Sequence, residues 1–432
     1  MQPPLVVVSD CEGNIFEIPG VFMAGTSLNS TIVPDDICII PMPRTSVLYM
    51  LPERIPVGYD AEQKKFIEIK EYNGTPVFAV AAFMPPGYIR TFNSAYVELP
   101  HAPRLPLFCY SATGFKNGRF YVAGTLIDRQ KRHEISEQTL SIVASKAQAI
   151  LKRYPGNRLV SHLVNNCALK YNCPNACNFI LGRWECPVPV SSACNAVCVG
   201  CISKQPNDSG IPASQDRIDF IPTVKEIIEY VVPHLKNASN PIASFGQGCE
   251  GEPLLQANLI EESICAIRSL TNRGIININT NASLPDAIER LCKAGLNSMR
   301  VSINSAQPGF YNSYYHPQNY SFEDVMQSIK IAKRYKVWVS INYLMFPGFT
   351  DNPAELLALK NFIRKTNINM IQTRNLNIDP LSYIKTIGME NYSGKFIGIM
   401  SWIEDIKKTF PDILLGYFNP TYKTVNVQSK KS

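Results

Sequence analysis

A chain of 432 residues with 45% apolar side chains can bury two or three ordinary cores, which excludes an intrinsically disordered protein. Its formal charge of +7 is spread thinly, with small clusters at Arg129–His133 and Lys430–Lys431, so it indicates a solvated surface and does not point to nucleic acid. No apolar run reaches the roughly 18–20 residues of a membrane helix, and the N-terminus MQPPLVVVSD lacks the basic segment of a secretory signal, so a cytoplasmic protein that does not contact membranes is expected.

Residues 1–135 carry short apolar runs (VVV, ICIIP, VLYML, FAVAAF, FYVAG) broken by Pro, Gly and Asp-Asp, which predicts a mainly β domain. A helix over 136–153 follows from Leu140, Val143, Ala144, Ala147 and Ile150 at helical spacing, and Tyr154-Pro155-Gly156 ends it. With the cysteine-rich stretch up to 186 it forms a connecting segment. From about 187 the pattern alternates between β-like and amphipathic helical runs. Thr223 and Glu226 have capping-box spacing ahead of a helix. Strands are then predicted at 242–246, 275–279, 298–303, 337–345 and 368–373, and helices at 256–272, 283–293, 321–335 and 352–365. With one strand before the cysteine loop this makes six βα units over 187–385. The expected fold class is α/β, a partial (βα)6 barrel with functional loops at the C-terminal strand ends. Residues 386–432 read as a helical extension and tail.

Thirteen cysteines is a high count; seven lie within 167–201 and none after Cys292. Such clustering in a cytosolic chain suggests metal rather than disulfides. SSACNAVCVGCIS places Cys194, Cys198 and Cys201 in a C-x3-C-x2-C array that can wrap one iron–sulfur cube and leave one iron open. A zinc site with a fourth recruited thiolate is the competing reading of the spacing. Upstream, Cys167, Cys173, Cys177 and Cys186 offer four thiolates for a second site. It is a candidate auxiliary [4Fe-4S] cluster, with structural zinc or unmetallated thiols as alternatives. None of the five histidines shows metal-ligand spacing, and only His162 lies near these cysteines, where a surface or core role is the ordinary one.

The triad and the strand endings over about 190–380 resemble the radical S-adenosylmethionine (SAM) superfamily. That resemblance implies an enzyme in which Cys194, Cys198 and Cys201 ligate a [4Fe-4S] cluster whose open iron chelates SAM. Reduction then yields methionine and a 5′-deoxyadenosyl radical that abstracts hydrogen from substrate. It also implies a one-electron donor such as flavodoxin or ferredoxin. GQGCEGEPLL (246–255) is similar to the family's Gly-Gly-Glu-Pro segment, so Gly251, Glu252 and Pro253 are expected at the methionyl end of SAM. Cys249 interrupts that segment and reads as a small buried residue or as a redox or substrate contact.

By the same resemblance Thr280, Asn281, Ser302 and Asn304 end strands where ribose and carboxylate contacts are expected, each open to a turn-forming reading. Phe346 lies in the fifth-strand ending NYLMFPGFTDN, beside the expected adenine position. The family usually has a bulky residue before the third cysteine, but here that residue is Gly200. Val199, Ile202 or Phe346 are candidates to supply the surface. Gln372, Arg374, Asn375, Asn377 and Asp379 cluster at the expected barrel mouth as substrate contacts or as a solvated loop. A zinc-stabilised binding module and a two-cluster electron-transfer protein are the alternatives to SAM chemistry. The substrate is not identified by the sequence.

Overall fold

The computed structural model describes residues 2–129, 137–420 and 424–425. The basic cluster beyond Arg129 and the Lys430–Lys431 pair lie outside the described residues. Among the described residues no helix is long and apolar enough to cross a membrane.

The N-terminal region is mainly β, as its Pro- and Gly-punctuated runs predict, and it builds an eleven-stranded sheet. Its centre is Leu5–Ser9, whose branched side chains are buried on both faces. This strand pairs antiparallel with Ile15–Met23, Phe78–Phe83 and Thr113–Lys116. The connecting helix spans Glu137–Arg153. After it come a helical turn at Arg158–Ser161, a π-helix at His162–Lys170 and a short helix at Pro174–Ile180.

The second sheet is all parallel, and its strands lie in sequence order. They are numbered here β1 (Glu185–Val188), β2 (Ile242–Phe245), β3 (Ile275–Thr280), β4 (Ser298–Ile303), β5 (Trp338–Met345), β6 (Met370–Asn375) and β7 (Leu414–Gly416). The predicted capping box is present, with Thr223 and Glu226 bonding each other's backbone at the start of helix Val224–Asn237. The expected count of six strands is corrected to seven, because β7 pairs parallel with β6 from Met370↔Leu414 to Gln372↔Gly416. The barrel therefore extends into the stretch read as a helical tail, where helix Ile399–Thr409 does form. Three residues, LLG, are too few to carry a strand period.

Side chains alternate along these strands. Ile276, Ile278, Val301, Ile303 and Ile341 face the helices and are buried. The opposite faces meet in the lumen. Ile242, Ile275, Trp338 and Met370 close its lower end as an apolar cluster. Above them lies a polar layer in which Ser244 donates to Glu185 (2.6 Å), Asn277 to Asn279 (3.0 Å) and Arg300 to Gln372 (3.1 Å).

The N-terminal domain packs over the upper ends of β5 and β6. Arg90, fully buried, donates to the Leu376 carbonyl (2.7 Å), and its backbone N–H donates to Asn375 Oδ1 (2.8 Å). Arg54 pairs with Glu98 and, at 3.4 Å, with Asp379, which also accepts from the Leu105 N–H. Gly348, at φ +87°, comes so close to this domain that a Cβ would sit 2.6 Å from the Leu28 nitrogen. Asn375 and Asp379, read from sequence as mouth residues, are therefore engaged in interdomain contacts.

Candidate active site

Every predicted SAM contact lies at or beyond the C-terminal end of a strand or on the loop that follows it, as a parallel α/β sheet requires. The loop after β1 carries the cysteine triad. It is tied to the loop after β2 by backbone hydrogen bonds from Gly251 N–H to Ser191 C=O (2.7 Å) and Glu252 N–H to Ala193 C=O (2.9 Å). A Cβ on Gly251 would lie 1.9 Å from the Ala193 oxygen, so only glycine permits this approach. The adjoining Glu250 was missed by the sequence reading. Its buried carboxylate accepts from Val190 N–H (2.8 Å), Ser191 N–H (3.0 Å) and Gln247 N–H, and so fixes the start of the cysteine loop.

Glu252 is buried. Its carboxylate accepts from the Thr280 hydroxyl, the Asn281 N–H (2.8 Å) and the Leu254 N–H (3.0 Å). Burial pushes it up to about 7 and outweighs these three bonds, which favour the charged form. Pro253 opens the one-turn helix Pro253–Gln256 that Glu252 caps. Asn281 donates to Asn195 Oδ1 (2.8 Å), inside the cysteine loop, and Asn195 donates to Ser283 Oγ (2.9 Å). Thr280, Asn281 and Glu252 thus meet at one place beside the triad. Asn195 could have been suspected only from its position between the cysteines.

Ser302 is half-buried in the lumen, where Asn342 Nδ2 lies 3.4 Å from its hydroxyl. Asn304 is fully buried and donates to the Phe310 carbonyl (3.1 Å) and the Tyr383 hydroxyl (3.2 Å). Its Oδ1, like that of Asn342, is buried without a protein partner. Such an atom costs about 1–3 kcal/mol unless a ligand or water reaches it. Phe346 is clamped between the Arg90 guanidinium (5.1 Å) and the Tyr383 ring (4.8 Å).

The departure at Gly200 has a structural reason. A Cβ there would lie 2.6 Å from the Tyr314 hydroxyl, so an aromatic ring from helix Pro308–Tyr315 occupies the space beside the third cysteine. Val199 N–H and Val197 N–H bond the carbonyls of Tyr314 and Tyr315, each at 3.0 Å. No local signal in the sequence links positions this far apart.

The three thiols influence one another. Burial raises Cys198 well above its ordinary value, and the charges of Cys201 and Cys194 add to this; Cys194 is raised by burial and then by Glu252. Arg217, also missed, places Nη2 3.5 Å from Cys201 Sγ and so offers a charged donor to that sulfur. Tetrahedral zinc with Zn–S near 2.3 Å holds thiolates about 3.8 Å apart. Among the described residues the metal-capable ligand atoms that gather within 4.8 Å of one another belong to His162, Cys167 and Cys249, not to the triad. Three thiolates on one loop, with a charged donor beside the third, are a donor set for three irons of a cube. The orphaned Asn304 and Asn342 oxygens fit a polar ligand above it.

Of the four upstream cysteines, Cys167 faces Cys249, Cys173 caps helix Pro174–Ile180, Cys177 lies within that helix and Cys186 is buried in β1. The closest grouping thus takes Cys167 and leaves Cys173, Cys177 and Cys186 outside it.

The family model for the radical SAM superfamily matches residues 188–359. A GTP 3',8-cyclase from Aquifex aeolicus (strain VF5) is 27% identical over 184 residues, 42% of this chain; the chain spans about half the length of that relative, 53%. Among solved structures, methylornithine synthase (PylB) aligns with TM-score 0.38 and 15% identity over 65% of this chain and 72% of its own. Streptococcus suis SuiB bound to precursor peptide SuiA aligns with TM-score 0.37 and 14% identity over 60% and 56%. The matched segment begins at the end of β1 and holds the triad, the Gly-Glu-Pro loop and the endings of β3 to β5. Residues 188–359 are a radical SAM domain, of the superfamily whose enzymes bind a [4Fe-4S] cluster and SAM.

Proposed function

We propose that this chain generates a 5′-deoxyadenosyl radical and uses it to abstract hydrogen from a small substrate bearing an anionic group, held in the barrel lumen. The carrying observation is the convergence of Cys194, Cys198 and Cys201 on the loop formed by Gly251, Glu252, Thr280 and Asn281. When bound, the reduced cluster supplies the electron that cleaves SAM. The chain's own residues do the positioning. Cys194, Cys198 and Cys201 would hold three irons, with Arg217 beside the third thiolate. Glu252, whose carboxyl titrates near neutrality, would accept from the methionyl ammonium, which favours its ionised form. Asn304 Oδ1 would accept from SAM, and Ser302 lies where ribose is expected. A one-electron donor of the flavodoxin or ferredoxin kind would supply the reductant.

Tyr314 would supply the adenine surface that Gly200 lacks. Tyr314→Ala is expected to raise the KM for SAM about tenfold, since stacking on a base contributes about 1–3 kcal/mol. Iron content should be retained. An unchanged KM would remove Tyr314 from this role.

The anionic substrate group is inferred from two lumen arginines. Burial and then the charge of Arg374 bring Arg300 down to about 9, with the Glu185 carboxylate opposing them, so two guanidinium groups share one lumen carboxylate and a further anion would be accommodated beside them. Arg374 lies 3.9 Å over the Tyr417 ring, which is cation–π contact rather than neutralisation. Arg374→Met should weaken binding of the stimulating substrate about tenfold or more, the loss of a charged hydrogen bond of about 1.5–3 kcal/mol. Substrate-free SAM cleavage should not change.

The test is anaerobic reconstitution with iron and sulfide, reduction with SAM present, and assay of 5′-deoxyadenosine. It is repeated with a panel of phosphate- and carboxylate-bearing small molecules, GTP among them. If no 5′-deoxyadenosine forms and SAM leaves the cluster spectrum unchanged, the reading fails.

A further inference from the structure

Outside the triad, one other group of ligand-type side chains converges among the described residues. His162 opens the π-helix, Cys167 lies five residues on, and Cys249 sits in the loop after β2; their ligand atoms lie within 4.8 Å of one another. In an α-helix a five-residue step would turn the two side chains about 140° apart. The i→i+5 repeat of the π-helix brings them back onto one face, which is why this rare conformation matters here. Cys173, at the start of the next helix, lies beside this group but outside its 4.8 Å grouping. Its N–H bonds the Cys167 carbonyl (2.8 Å), and its thiol is near enough to Cys167 and Cys249 for their charges to act on one another. His162 Nε2 is buried without a hydrogen-bond partner. A cleft of about 610 Å³, lined by His162, Asn166 and Phe220, opens beside the imidazole.

We propose that His162, Cys167 and Cys249, with the Cys173 thiol as fourth ligand, bind a zinc ion at a site separate from the Cys194–Cys198–Cys201 centre. Three thiolates and one imidazole are a closed structural set for zinc. The compactness of His162, Cys167 and Cys249 matches ligands gathered around one ion; Cys173 lies outside that grouping and would move in as the fourth ligand when the ion binds. Binding releases the thiol protons to solvent, and no electron is transferred. The ion would pin the loop carrying Cys249, three residues before Glu252, to the segment that leads into β1. This assignment does not depend on the SAM reading, because its readout is metal content.

The experiment measures zinc and iron by mass spectrometry in anaerobically purified wild type, in the Cys194→Ala/Cys198→Ala/Cys201→Ala variant, and in His162→Ala and Cys249→Ser. Wild type and the triad variant should each hold about one zinc per chain with sulfur near 2.3 Å and nitrogen near 2.0–2.1 Å by X-ray absorption. Zinc should fall at least tenfold in His162→Ala and Cys249→Ser while iron at the triad persists. Absence of zinc in wild type, retention of zinc in both single variants, or an iron–sulfur cluster in the triad variant would each overturn the proposal. Should the single variants fail to fold, the wild-type spectrum decides, and a coordination shell without sulfur sinks it.

Discussion

Replacing Cys194, Cys198 and Cys201 together by alanine is expected to bring 5′-deoxyadenosine formation to background and iron from about four atoms per chain to near zero. The loss should be complete rather than graded. Each thiol is held on one loop between the β2 loop and helix Pro308–Tyr315, so no other cysteine of the described residues can swing in to replace it. Cys249, the nearest cysteine in sequence on the β2 loop, points instead to Cys167. The variant should fold, because Cys194, Cys198 and Cys201 are only partly buried and the loop is anchored independently through Glu250, Gly251 and Asn195. A triad variant that kept its iron and its turnover would place the reactive centre elsewhere.

The barrel was legible because each inner strand repeats with period two between strong helix signals. Thr223–Glu226 announces its helix, and SMRVSI ends where β4 ends. The features that escaped have a common physical cause: they depend on contacts between residues far apart in sequence. Tyr314 reaches Gly200 across more than a hundred positions, so the apparent gap before the third cysteine is filled from another element. Asn375 and Asp379 look like solvent-facing mouth residues until Arg90 and Arg54 arrive from the N-terminal domain. β7 is too short to show a period. The pairing of Cys167 with His162 was invisible for a different reason, since spacing five is off-face in an α-helix and on-face only in the π-helix that forms. Cys249, read as an intruder in its motif, becomes intelligible only beside them.

The last expectation concerns Gly251→Ala, a change of one methyl group. The added Cβ would meet the Ala193 carbonyl oxygen at 1.9 Å, and that oxygen already accepts the Glu252 N–H. Backbone cannot rotate away as a side chain does, so the two loops must part. Overpacking of this kind costs about 1–3 kcal/mol. The larger effect falls on chemistry, because the loops that part are those presenting Cys194 and Glu252, and a displacement near 1 Å at a reacting centre costs about 10²-fold in rate. Gly248→Ala is the matched control. Its Cβ would meet the Ile202 Cδ1 at 2.6 Å, the far end of a flexible side chain, which can turn aside. Gly251→Ala should therefore lower 5′-deoxyadenosine formation about a hundredfold, whereas Gly248→Ala should stay within a few-fold of wild type. Urea unfolding of both variants separates stability from rate. Equal rates in the two would mean that the close approach of the Gly-Glu-Pro loop to the cysteine loop has no part in aligning cluster and SAM.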